Sequence, residues 1–242
     1  MTTLREKLTA PGARLRGVFQ SFPAPGVTEL LCMAGADFIC ADGEHSTFRG
    51  EGLANLLRAA GCHGVEMLVR VPDAVPHLIA EALDAGAAGV MVPRVSDAAT
   101  ARACVAAARF PPEGVRGAGP SRAAGYGYRL PHMLAAPQPL IGVQVETLGA
   151  LDALEEILAI PGLDYVMIGP ADLGLALRAG RPDLALDDAI AMVRDGCRAA
   201  GVPLGIFAFD RAAGDAALDW AQFVLQGTDG MLLSAAAEAA FG

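Results

Sequence analysis

The sequence predicts a single α/β domain, residues 1–242, folded as a (β/α)8 barrel, and three observations predict it. Short β-rich runs alternate with Ala- and Leu-rich helical runs almost from end to end. The strand runs are continuously apolar rather than alternating, the pattern of a parallel sheet covered on both faces. Eight such strand–helix units also fit a chain of 242 residues, a usual length for an α/β barrel. A doubly wound open sheet is the structural alternative. It is disfavoured because no G-x-G-x-x-G follows the first strand.

Taken in order, MTTLREKLTAPG reads as a short capped helix with Leu4 and Leu8 on one face. The candidate strands are RGVFQS, FICADG, EMLVRVP, GVMVPRV, LIGVQVE, YVMIGPA, PLGIFAF and FVLQGTD. Helical stretches lie between them: GLANLLRAAG, VPHLIAEALDAG, DAATARACVAAARF, LGALDALEEILAI and DDAIAMVRDGCRAAG. Several close on Gly, as helices commonly do. One connection breaks the rhythm. RFPPEGVRGAGPSRAAGYGYRLPHMLAAPQP, between the fourth and fifth strands, is long and rich in Gly, Pro and Arg. Long loops inside compact domains are usually functional or disordered. Arg116, Arg122, Tyr126 and Tyr128 favour an ordered loop near the site.

Composition narrows the function. With 53% hydrophobic residues and only 5% aromatic ones, Ala, Val, Leu and Ile are expected to fill the interior. No apolar run is long enough to span a bilayer, and the N-terminus lacks the apolar core of a signal peptide. A cytoplasmic protein is expected, with no membrane partner. A net charge of -9 argues against nucleic acid, whose partners present a basic face. Cys32, Cys40, Cys62, Cys104 and Cys197 form no C-x-x-C pair and read as reduced core residues. Lys7 is the only lysine. Schiff-base chemistry in the core of the fold therefore has no candidate residue.

In a barrel the chemistry is drawn from the C-terminal ends of the strands. The second strand ends in Asp42, Glu44 and His45. The third carries Arg70, the fifth Gln144 and Glu146, and the sixth runs into Gly169, Pro170, Ala171 and Asp172. Gln144 and Glu146 are two apart on a strand and so share a face. With Asp172 ending the next strand, two carboxylates can converge. Two acids without a Cys or His cluster suit a hard, oxygen-loving cation, Mg²⁺ or Mn²⁺. The alternative is that Asp172 caps a helix beginning near Leu173. Arg70, inside an apolar strand, needs an anionic or carbonyl partner because its charge cannot be removed. That partner is either a ligand or a buried structural acid, Asp42 or Glu44. His45 is either a site residue or a surface histidine. Asp84 lies late in a helix, where an acid opposes the dipole, and so hints at a tertiary role.

Taken together, ADGEH, LVRVP, LDAGAAGVMVPRV, PPEGVRGAGPSRAAGYG, VQVET and IGPADLG resemble the HpcH/HpaI aldolase family, from about Gly17 to near the C-terminus. The resemblance implies a TIM barrel of the phosphoenolpyruvate/pyruvate type. It also implies a metal-dependent pyruvate aldolase, in the class that cleaves 4-hydroxy-2-oxoheptanedioate or 2-keto-3-deoxy sugar acids, with aromatic catabolism as one setting. Glu146 and Asp172 would hold the divalent metal, Mg²⁺ or Mn²⁺, with Co²⁺ or Zn²⁺ as alternatives. Gln144, Gly169, Pro170 and Ala171 would position the 2-keto acid. Arg70 would stabilise the enolate, and His45 would be the general base. Asp42 would partner His45, and Asp84 would raise its basicity. Phe19 stands where several relatives have a tryptophan lining the pocket, and this places the aldehyde half of the substrate in question. A homo-oligomer is implied, a hexamer built as a trimer of dimers. The rival readings are a CoA-thioester lyase of malyl or citryl type and a non-catalytic barrel that binds a keto acid.

Overall fold

The computed structural model describes residues 2–47 and 49–242. Met1 and Phe48 lie outside the described residues. Eight parallel strands close into a barrel in sequence order. They are β1 (Leu15–Gln20), β2 (Phe38–Asp42), β3 (Met67–Arg70), β4 (Gly89–Val92), β5 (Leu140–Val145), β6 (Tyr165–Ile168), β7 (Leu204–Ala208) and β8 (Phe223–Thr228).

Around them run α2 (Pro25–Met33), α3 (Glu51–Cys62), α4 (Pro76–Asp84), α5 (Ala98–Ala108), α7 (Leu148–Asp152), α8 (Leu154–Leu158), α9 (Pro170–Gly180), α10 (Leu186–Ala200), α11 (Arg211–Ala217) and α12 (Asp229–Phe241). A short N-terminal helix, α1 (Leu4–Thr9), and a further short helix, α6 (Leu130–Ala135), complete the set. The stretch LGALDALEEILAI forms two short helices rather than one, since the chain leaves helical geometry at Ala153 (φ -97°, ψ 13°).

The packing falls into two layers. Between strands and helices lies an aliphatic annulus that includes Ile39, Val69, Val90, Ile141, Val143, Val166, Ile206 and Val224. This is the Ala, Val, Leu and Ile interior that the composition predicts. Inside the barrel the filling is different. Phe38, Tyr165 and Phe223 meet edge to face, with Phe38–Phe223 centroids 5.8 Å apart and Tyr165–Phe223 5.5 Å apart. Three of the few aromatic residues are thus spent on the interior of the closed sheet.

Glycines make room for these rings. A Cβ at Gly17, Gly142 or Gly205 would overlap the ring of Phe38, Tyr165 or Phe223, its partner in register on the adjacent strand. The buried Tyr165 hydroxyl donates to the Val90 carbonyl at 2.9 Å, so it carries no unmet polar group into the core.

Helix α1 closes the bottom. Thr3 and Glu6 form a reciprocal capping box, and this fixes a helix of only six residues that would not be stable alone. Leu4 and Leu8 are thereby delivered against Leu15, Phe38, Leu140, Tyr165 and Phe223. Fully burying each such side chain is worth roughly 1.5–3 kcal/mol.

The excursion between α5 and β5 departs from expectation. The sequence reading sets it near the chemical site, but it packs at the opposite end of the barrel. Ala123 N–H donates to Asp84 O at 3.0 Å, and Arg122 donates to Ala85 O at 2.6 Å. The exposed carbonyls at the end of α4 need donors, and this segment supplies them. Arg116, Arg122, Arg129 and His132 there line a cavity of about 600 Å³ together with residues of α1.

Candidate active site

The C-terminal rim of the barrel gathers most of the residues singled out from the sequence. Asp42 and Arg70 end β2 and β3 and are partners in register. Both carboxylate oxygens of Asp42 accept from the guanidinium, Oδ1 from Nε at 2.9 Å and Oδ2 from Nη2 at 2.8 Å. The third guanidinium nitrogen, Nη1, lies 3.1 Å from Glu44 Oε2. Arg70 also lies over the Phe19 ring, 4.3 Å from its centroid. Burial works against the Arg70 charge. The hydrogen bonds from Asp42 and the negative charges of Asp42 and Glu44 outweigh it and hold the group firmly protonated.

Asp42 does a second job. Its Oδ1 accepts the backbone N–H of Glu44 at 3.0 Å and of His45 at 3.2 Å, which folds the chain back over the end of β2. The Ser46 hydroxyl donates to the Asp42 carbonyl in the same turn. The side chain of Asp42 is thus committed to Arg70 and to this turn. No side-chain hydrogen bond joins it to His45 among the described residues. The neighbour of His45 is Glu44, whose Oε2 lies 3.8 Å from His45 Nε2. Glu44 therefore links Arg70 to the histidine, a role that the sequence reading does not give it. Its proximity to both groups depends on the turn that Asp42 sets, which strand-end position alone does not show. His45 itself is 65% exposed and faces the solvent side of the rim.

Across the mouth, Glu146 is buried just beyond the end of β5. Its Oε1 accepts the Arg94 backbone N–H at 2.7 Å, and its Oε2 accepts Gln144 Nε2 at 2.8 Å. Arg94 adopts φ 55°, a left-handed conformation that costs a non-glycine residue on the order of 1 kcal/mol. It aims that N–H at the carboxylate. On the other side Gly169 leaves the gap in which Glu146 sits, since a Cβ there would overlap Glu146 Oε2. Burial pushes the Glu146 carboxyl up to about 7, and the charges of Glu44 and Asp172 add to the effect against the Arg94 hydrogen bond and Arg70. Burial likewise raises Glu44, with Arg70 opposing.

Helix α9 begins at Pro170 with Gly169 as its N-cap and no side-chain cap bond. Asp172 is therefore an exposed acid in the first turn rather than the cap of a helix starting at Leu173. Pro170 and Ala171 open the same turn.

This acidic cluster fits a divalent cation. The buried Gln144 Oε1 has no hydrogen-bond partner, Glu146 is held in a cradle, and the charges of Glu44 and Asp172 act on it. The donors are all oxygens. No group of three His, Cys, Asp or Glu side chains able to hold a metal occurs among the described residues. Glu146 and Asp172 are the two acids that would hold a cation, with its remaining positions left to substrate and water.

Asp84 stands apart. It ends α4 at the opposite end of the barrel, where its Oδ1 accepts from Arg116 Nη2 at 2.8 Å. The structure brings His45, Glu44, Arg70, Asp42, Gln144, Glu146, Gly169 and Asp172 to one mouth and does not bring Asp84 there. Arg116 explains the position of Asp84: its buried guanidinium needs an acid, and the end of α4 provides one.

Residues 16–236 match the family model described as HpcH/HpaI aldolase/citrate lyase. The chain is 38% identical over 235 residues to a hydroxypyruvate/pyruvate aldolase of Roseovarius nubinhibens, covering 93% of this chain and 90% of that protein. It is 36% identical over 228 residues to a 2-keto-3-deoxy-L-rhamnonate aldolase of Salmonella gallinarum, covering 91% and 85%. Among solved structures, an HpcH/HpaI aldolase/citrate lyase family protein from Burkholderia cenocepacia superposes with a TM-score of 0.91. The two are 34% identical, with 99% of this chain and 98% of that one covered.

Proposed function

From the premise that the chain belongs to the HpcH/HpaI aldolase/citrate lyase family and is an aldolase-type lyase, we propose that it reversibly cleaves a 4-hydroxy-2-oxo acid. The products are pyruvate, or a close 2-keto acid such as hydroxypyruvate, and an aldehyde. The observation that carries this reading is the cradle of Gln144, Glu146 and Gly169 set across the mouth from Arg70.

Glu146 and Asp172 would hold a divalent cation, Mg²⁺ or Mn²⁺, which would supply Lewis-acid stabilisation of negative charge on the 2-keto oxygen. Gln144 and the first turn of α9, Gly169 to Ala171, position the keto acid. Arg70 donates to the keto oxygen as charge develops there, and such preorganised donors are often worth several kcal/mol at the transition state. Asp42 fixes the plane of the guanidinium and is a positioning residue. His45 takes the proton of the 4-hydroxyl. The C3–C4 bond then breaks with its electron pair passing to C3 and the keto oxygen, and C4 becomes the aldehyde carbonyl. Return of a proton to C3 gives the 2-keto acid. Glu44 steadies the protonated imidazole between the two transfers.

The proposal extends to assembly and place. Leu232, Leu233 and Phe241 on α12 are exposed, an apolar face that a second copy would cover, and a hexamer built as a trimer of dimers is the state expected in solution. Light scattering gives the mass. No helix among the described residues is long and apolar enough to cross a membrane, and the cytoplasm is the proposed site of action.

The deciding experiment is pyruvate release from a simple 4-hydroxy-2-oxo acid, with metal stripped and then Mg²⁺ or Mn²⁺ restored. Turnover is expected with metal alone, and Glu146→Ala abolishes it. Undiminished cleavage by the chelated protein would remove the metal from the proposal.

A further inference from the structure

The N-terminal end of the barrel carries a cavity that the chemistry at the mouth does not use. Its volume is about 600 Å³, inside the range of roughly 300–1,000 Å³ typical of small-molecule sites. Helix α1 forms one side of it. Leu57 on α3, Val65 before β3 and Met133 on α6 give it an apolar lining. The excursion between α5 and β5 supplies arginines.

The acids of this lining are compensated, and two of its arginines are not. Glu6 accepts the Thr3 N–H at 2.7 Å and Glu66 accepts the Leu4 N–H, so both carboxylates answer the positive end of α1. Arg5 and Arg116 are paired with Asp164 and Asp84. Arg122 has no acid among the described residues and donates through Nη1 to a neutral acceptor, the Ala85 carbonyl, at 2.6 Å. Arg129 is exposed, and among the described residues neither an ion pair nor a side-chain hydrogen bond engages its guanidinium.

The backbone makes room for Arg122. Gly86 follows α4 at φ 95°, and a Cβ there would overlap Arg122 Nη1. A guanidinium is a planar fork of several N–H donors, and Ala85 takes a single one. Two further polar atoms of the lining residues, Arg116 Nε and Gln138 Oε1, are enclosed without a hydrogen-bond partner. Buried polar atoms call for a partner, and here the chain supplies none.

We infer that this cavity binds a small organic anion, an oxyanion head on an apolar body. Arg122 and Arg129 take the head, and Leu57, Val65 and Met133 take the body. A guanidinium fork matches phosphate and carboxylate alike, so the head is either of these. The site lies at the end of the barrel opposite Arg70 and Glu146 and owes nothing to the reaction proposed there.

The test titrates the metal-loaded protein with phenyl phosphate, phenylacetate and inorganic phosphate by calorimetry. The methionine methyl signals, followed by NMR, locate the binding, with Met133 assigned through Met133→Leu. At least one organic anion should bind and shift the Met133 signal, and the tighter of the two identifies the head group. Inorganic phosphate, which lacks the apolar body, should bind about tenfold or more weakly. Arg129→Ala and Arg122→Ala should each weaken the organic anion by about tenfold or more, and Arg129→Lys should recover part of the loss. Because Arg129 is exposed and unpaired among the described residues, its removal tests the site in a protein that still folds. Binding of neither organic anion overturns the inference. So does binding that leaves Met133 unmoved and ignores Arg129→Ala, or inorganic phosphate bound as tightly as both organic anions.

Discussion

Asp42 and Arg70 face one another at the ends of adjacent strands and share two parallel hydrogen bonds, 2.9 and 2.8 Å long. The side chains are 3% and 10% exposed, so the pair is buried, and its net attraction matters less than the cost of breaking it. Asp42→Ala leaves a buried guanidinium with Glu44 alone and removes the acceptor for two backbone N–H groups. Urea unfolding should show a loss of about 3–5 kcal/mol. The double variant Asp42→Ala/Arg70→Met should recover part of it, because no charge is then stranded.

The histidine makes the opposite kind of prediction. His45 is mostly exposed and buries little, so His45→Ala should leave stability within about 0.5 kcal/mol of wild type. Its kcat should fall by roughly 10²–10⁴-fold, the usual contribution of a positioned base. Steady-state kinetics beside a thermal melt separates the two effects.

Space around Glu146 is as important as its charge. Gly169→Ala would push a methyl group into Glu146 Oε2. The carboxylate must turn away from Gln144 and from the cation position. Titration calorimetry should show metal affinity weakened by about 10- to 100-fold, the range seen when a metal ligand loses its supporting contacts, in a protein that still folds.

The pH dependence of the metal-stripped protein reflects the raised Glu146 carboxyl. The folded chain holds this proton up to about 7, whereas the unfolded chain releases it near the ordinary glutamate value of 4.5. Between those values the folded state binds more protons than the unfolded one, so stability falls as pH rises through the window. Below the window the penalty vanishes, and above it the penalty is complete, on the order of 3 kcal/mol. Glu146→Gln should therefore be the more stable protein at pH 8, with the gap closing by pH 4. Chelated samples melted across that range provide the check, and added Mg²⁺ should cancel the wild-type deficit.

The fold was legible because its signals are local. Each apolar run proposed as a strand falls on an observed one, and each overruns its strand at the C-terminal end by one to three residues. The polar residues at the strand ends were legible for the same reason: strand ends share one rim. What local reading could not supply was pairing. Arg70 called for an acid, but only the β2–β3 register shows that Asp42 takes both of its forks and that Glu44, rather than Asp42, stands beside His45. Asp84 and the Arg-rich excursion were harder still. Their arginines look like site residues in composition, and only the carbonyls at the end of α4 reveal which end of the barrel they serve. The aromatic residues misled through scarcity. Few in number, they nonetheless include Phe38, Tyr165 and Phe223, the rings that meet inside the barrel.

The rings packed inside the barrel over α1 have a consequence for traffic. With Phe38, Tyr165 and Phe223 filling the bore and Leu4 and Leu8 closing it below, the barrel is a vessel with one doorway. Anything held against Gln144 and Glu146 can therefore leave only through the C-terminal mouth, past Arg70. A stopper at the far end, some of whose residues touch no part of that mouth, gives the barrel a single side for exchange.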